Sequence, residues 1–122
     1  MTYKFPLVEL LDRYVIAQLK FEKLRTNYEE VEFYTKQLKE YDFELIKDEL
    51  TQLTEIHRRI WALEDDFKNF TIENKYDLAE IGRRAILVRD TNYERYQMKN
   101  KIAEKLNDPV REKKNYGDKF II

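Results

Sequence analysis

Residues 56–67 read Ile56-His57-Arg58-Arg59-Ile60-Trp61-Ala62-Leu63-Glu64-Asp65-Asp66-Phe67 and hold the single Trp and the single His of the chain. Ile56, Ile60, Leu63 and Phe67 recur at steps of four, three and four, which is one face of an α-helix. The same phase runs back through Leu53, Leu50 and Ile46 and forward to Phe70. The spacing predicts a helix over about 43–70, with Trp61 near the centre of the core. Asp42 is placed to cap it, and Tyr41 and Ile46 to staple across the cap.

Upstream, Pro6 suits a first helical turn because its missing N–H would be unpaired there anyway. From it run Leu7, Leu10, Tyr14, Ala17, Phe21, Leu24, Tyr28, Val31, Thr35, Leu38 and Tyr41, spaced alternately three and four. The phase passes through Thr26-Asn27 unbroken and predicts one helix over about 6–41, roughly 54 Å long. Downstream, Asn74 can cap a third helix over about 74–107, with Asp77 in its first turn. Its stripe is Leu78, Ile81, Ala85, Val88, Asn92, Tyr96, Lys99, Ile102 and Leu106, and it ends before Pro109. A tail over 108–122 is charged until Phe120-Ile121-Ile122.

Two Gly, two Pro and 39% charged residues in 122 argue for long helices and against Gly-rich phosphate loops or sandwiches. The fold expected is all-α: one domain, an antiparallel three-helix, coiled-coil-like bundle with a short C-terminal tail. No Cys occurs, so disulfides and thiolate metal sites are excluded. No apolar run reaches the ~18 residues of a membrane span, and no apolar signal segment opens the chain, so the expectation is a soluble cytoplasmic protein without a membrane partner. Residues 1–74 carry 11 basic and 16 acidic side chains, residues 75–122 carry 12 and 8. That asymmetry suits attraction between helices, or a basic face for an anion.

Short connections make neighbouring helices antiparallel. Folding about residues 42 and 72 sets Trp61 opposite Leu24 and beside Gly82, in the small-residue stripe Ala79, Gly82, Ala85. The same register turns Asn92, Arg95 and Lys99 inward, where unpaired polar groups are costly. With Glu64, Asp65 and His57 they form the candidate polar site, expected to meet acids or carbonyls of the first two helices, or to hold an anion. His57 is read as an interhelical hydrogen-bonder facing Tyr28. It has no Ser or Cys to activate, because neither occurs, and no catalytic residue is assigned.

Glu64-Asp65-Asp66, with Glu22 as a possible neighbour, is read as surface acids, so no metal ligand or cofactor is assigned. The basic residues Arg83, Arg84, Arg89, Arg95, Lys99, Lys101 and Lys105, interleaved with Tyr93 and Tyr96, could serve a nucleic acid, but Asp90, Glu94 and Glu104 interrupt them, which argues against it. Arg83 and Arg89 are expected to pair with Glu64 and Asp65 instead. A first helix reaching residue 6 overhangs the second, leaving Leu7, Val8, Leu10 and Leu11 as a candidate interface for a homodimer or another protein.

Several collinear segments carry a resemblance: Asp12-Arg13, Leu19-Lys20-Phe21-Glu22-Lys23-Leu24, Ile60-Trp61-Ala62-Leu63-Glu64-Asp65, Asn92-Tyr93-Glu94-Arg95, Lys99, Ile102, and Glu112-Lys113-Lys114-Asn115-Tyr116. Together they resemble a family of small, uncharacterised, mostly helical proteins of bacteria and phages. The resemblance implies a helical fold and no activity. The function expected is therefore a non-enzymatic interaction or assembly protein, self-associating. The alternatives are a binder of a small anion or nucleic acid through the third helix, then a divalent-metal-dependent enzyme on nucleotides.

Overall fold

A computed structural model of the chain describes residues 6–69 and 71–108. Among them 84% are helical and none is in a strand. The helices are α1 (Leu7–Leu24), α2 (Tyr28–Leu38), α3 (Lys47–Lys68), the single turn α4 (Ile72–Lys75) and α5 (Leu78–Lys105), with a 3-10 turn at Glu44–Ile46 leading into α3.

The expected single helix over 6–41 is two helices. Arg25 takes the left-handed conformation (φ 59°), and its N–H donates to the Phe21 carbonyl at 2.9 Å, closing α1. Asn27 Nδ2 then donates to the Ala17 carbonyl at 3.0 Å, tying the turn back onto α1. Lys20 meets Glu30 at 3.5 Å and the rings of Phe21 and Tyr28 stand 6.1 Å apart, so α2 folds back along α1. The unbroken periodicity misled because a hairpin satisfies it as well as a rod does. Thr26-Asn27, two poor helix formers, were the local signal for the break. A left-handed non-Gly residue is strained. Arg25→Gly is therefore expected to raise stability by ~0.5 kcal/mol, and Arg25→Val to lower it by ~1 kcal/mol, in urea melts.

The buried face of α1 is also one step out of the expected phase. Val8, Leu11, Val15 and Leu19 are buried; of the expected stripe Ala17 is buried as well, whereas Leu7, Leu10, Tyr14 and Phe21 are half-buried. Val8, Leu11 and Val15 join Leu38, Ile46, Leu53, Ile102 and Ala103 in the core. Val8 and Leu11 are thus inside the chain's own core, with Leu7 and Leu10 packed at its edge, so the expected overhang interface over Leu7, Val8, Leu10 and Leu11 is corrected: half of it is buried within the chain. With α1 ending at Leu24 and α2 doubling back, no long rod projects past α3.

α3 and α5 make the most extensive helix pair. Arg59 pairs with Glu94 at 2.5 Å, and Lys105 with the buried Glu49, so the two helices run in opposite directions. α1 lies against the C-terminal half of α5, through Glu9 with Lys99 and Asp12 with Arg95. The first turn of α1 is capped from 100 residues away: Val8 N–H donates to the buried Asp108 carboxylate at 3.1 Å. A carboxylate there satisfies an orphan N–H and complements the helix dipole. α5 begins at Asp77, whose side chain accepts from Glu80 N–H at 2.8 Å, so Asp77 rather than Asn74 is the cap. Asp42 accepts from Glu44 N–H at 3.0 Å, opening the 3-10 turn ahead of α3.

Because α1 covers only the C-terminal half of α5, the other half is left open. No residue of α5 before Thr91 is buried, and Leu78 is 85% exposed. The expected packing of Trp61 against Leu24 and Gly82 is corrected accordingly. Trp61 is half-buried, Leu24 is exposed, and a Cβ added at Gly82 would meet nothing within 4 Å. The residues of the expected tail beyond Asp108, with Pro109 and Phe120-Ile121-Ile122, lie outside the described residues.

Candidate functional site

At the centre of the molecule three helices each turn charged side chains inward. α1 contributes Glu9 and Asp12, α3 contributes His57, and α5 contributes Arg95 and Lys99. Asp12 is 2% exposed and is the hub. Its Oδ1 accepts from His57 Nε2 at 2.7 Å and from Arg95 Nε at 3.3 Å, and its Oδ2 accepts from Arg95 Nη2 at 2.6 Å. Lys99, also 2% exposed, pairs with Glu9 at 2.8 Å and stands 3.8 Å from Asp12 Oδ2.

Burial alone would push the Asp12 carboxyl up. The hydrogen bonds from His57 and Arg95, with the charge of both, outweigh it and hold that carboxyl far below the usual carboxylate range. Against an ionised Asp12, His57 Nε2 carries the proton the two share. Two carboxylates, Glu9 and Asp12, face two cations, Arg95 and Lys99, which is how buried charges are retained without leaving one unpaired.

Of the residues the sequence singled out, the structure brings His57, Arg95 and Lys99 together. Asn92 stands on the same side of α5, with Nδ2 donating to its own Val88 carbonyl at 3.1 Å. Glu64 and Asp65 are not in the cluster: Glu64 pairs with Lys68 at 3.6 Å and Asp65 accepts from Asn69 at 3.2 Å. His57 bonds Asp12 and not Tyr28, which is exposed. Arg83 pairs with Glu80 and Arg89 with Asp90, each within α5, rather than across to α3. Asp12 and Glu9 were missed. Their signal was present, because Asp12 follows Val8 by four and precedes Val15 by three, an acid inside an apolar stripe.

Beside the cluster, α1, α3 and α5 enclose a cleft of about 420 Å³. Ile16, Leu19, Ile60 and Trp61 form its apolar walls, and Lys20, His57, Asn92 and Arg95, with Glu64 and Lys68, its polar ones. Lys68 Nζ stands 6.0 Å from the Trp61 ring centroid.

Thr35, Thr51, Thr54 and Thr91 each donate their hydroxyl to the carbonyl four residues back. The acids after Trp61 diverge: Asp66 is held by Lys75 at 2.7 Å and by Thr71, and Glu22 by Arg58 at 2.5 Å. Among the described residues no group of three or more His, Asp or Glu is arranged to hold a metal ion, and no helix is long and apolar enough to cross a membrane.

No family model matches the chain, and no curated protein or solved structure matches it.

Proposed function

We propose that this chain is a non-enzymatic interaction and assembly protein that self-associates through the open ends of α3 and α5. One observation carries the reading. Leu78, Ala79, Ile81, Ala85, Ile86, Leu87 and Val88 are seven apolar residues in the first eleven of α5, and none is buried. Beside them Phe67 joins Ala85 and Val88 in an apolar groove of about 380 Å³. Uncovered apolar faces of this kind mark interfaces.

The occupant we favour is a second copy. Exposed acid stands on α3 (Asp65) and exposed arginines on α5 (Arg83, Arg89), each paired with a near neighbour on its own helix. A two-fold arrangement, in which one patch meets itself, can match those signs while covering both apolar stripes. The proposal includes the three-helix, coiled-coil-like reading for α1, α3 and α5, supported by the opposed α3–α5 register, with α2 added as a hairpin arm. It also includes a cytoplasmic setting and kinship with the small helical family that the quoted segments resemble.

The test is light scattering across a concentration series, on wild type and on Ile86→Asp/Leu87→Asp. Wild type is expected to be a dimer or larger, and the variant a monomer with unchanged far-UV circular dichroism. A wild type that stays monomeric throughout overturns the reading.

A further inference from the structure

We propose that the cleft between α1, α3 and α5 binds a small organic anion made of a planar ring and one carboxylate or phosphate group. This goes beyond self-association: the cleft shares Glu64 and Lys68 with the rim of the apolar groove, and its other lining residues lie outside that groove. The cleft's volume of about 420 Å³ lies in the range of small-molecule sites, which pair apolar walls with a few placed polar groups. The wall residue that matters most is Trp61. It is only half-buried in a chain that buries Leu53 and Ile102 completely, so its ring faces the cleft and can stack on a planar ligand.

The sign of the ligand follows from the lining. Lys20, Lys68 and Arg95 face Glu64 as the single acid among the lining residues. Arg95 shares its charge with Asp12, so Lys20 and Lys68 supply the surplus. Their own partners, Glu30 and Glu64, stand at 3.5 and 3.6 Å, long enough to be exchanged for a better acceptor. His57 and Arg95 are pre-positioned, because both are locked onto Asp12.

Trp61 is also the sole tryptophan, so its fluorescence reads the site directly. The experiment titrates the full chain with adenosine monophosphate, benzoate, adenosine and inorganic phosphate. Saturable Trp61 quenching is expected with a ring-bearing anion, and adenosine and inorganic phosphate should each bind about tenfold more weakly than the better of them. Benzoate and adenosine monophosphate distinguish a carboxylate from a phosphate ligand. Lys20→Gln/Lys68→Gln removes the surplus charge without touching the buried cluster. It should weaken binding about tenfold and flatten its salt dependence, with circular dichroism unchanged. Absence of saturation with both ring-bearing anions, equal binding of uncharged adenosine, or full affinity in the double variant would each overturn the proposal.

Discussion

Asp12→Ala is expected to cost about 3–5 kcal/mol of folding stability, the largest loss of any single change outside the apolar core. The side chain removed is small, and little of the cost is cavity. What remains matters more. Lys99 stays 2% exposed with Glu9 as its carboxylate, Arg95 loses both of its Asp12 bonds, and His57 Nε2 loses its acceptor. Breaking a buried pair from one side leaves a desolvated charge behind, which costs far more than the pair contributes when intact. Asp12→Leu/Arg95→Met removes one charge of each sign together, leaves Lys99 with Glu9, and should recover much of the loss. Urea melts of the two variants decide it: if Asp12→Ala costs under ~1 kcal/mol, as surface changes do, the cluster is not holding the helices together.

The same residue sets the response to acid. Its carboxyl titrates below its unfolded value, so its contribution is fully present above about pH 4 and is lost as pH falls through the lower folded value. Wild type should therefore lose stability steeply below about pH 4. Asp12→Ala, already without that contribution, should show a shallower slope over the same range.

How much of this the sequence disclosed depended on where periodicity was unambiguous. In α3 and the turn before it, the positions Ile46, Leu53, Ile56 and Ile60, read from spacing alone, are buried ones. Over Lys47–Ile60 the apolar residues are separated by charged and polar ones, so only one phase exists, whereas the run Ile60-Trp61-Ala62-Leu63 leaves the place of Trp61 open. In α1 the run Leu7-Val8, Leu10-Leu11, Tyr14-Val15-Ile16-Ala17 offers two adjacent phases, and spacing cannot choose between them. Packing chose the one that carries Asp12, because only that phase brings an acid opposite Arg95 and Lys99. The inward turn of Arg95 and Lys99 was legible as an oddity of α5, while their partners were hidden by the wrong phase of α1. The hairpin at Arg25 was hidden for a different reason: its left-handed residue is not a Gly or Asn, so the usual mark of a helix end was absent.

The phase of α1 can be measured, and Leu11→Ala is the second large effect expected. Leu11 is 1% exposed and packs with Ile46, Leu53 and Ile102, so its removal leaves a cavity between α1, α3 and α5. Burial of that completeness places the loss at about 3–5 kcal/mol. Leu7 and Leu10 pack against the same cluster from its edge and are half-buried, so Leu7→Ala and Leu10→Ala should each cost less than half as much. Leu11→Asp would bury an unpaired carboxylate and should unfold the chain, whereas Leu7→Asp should leave it folded. The order of the three alanine variants in urea melts is therefore the decisive reading. If Leu7→Ala or Leu10→Ala were the most damaging, α1 would be rotated by one residue, Asp12 would leave the interior, and Arg95 and Lys99 would need other partners.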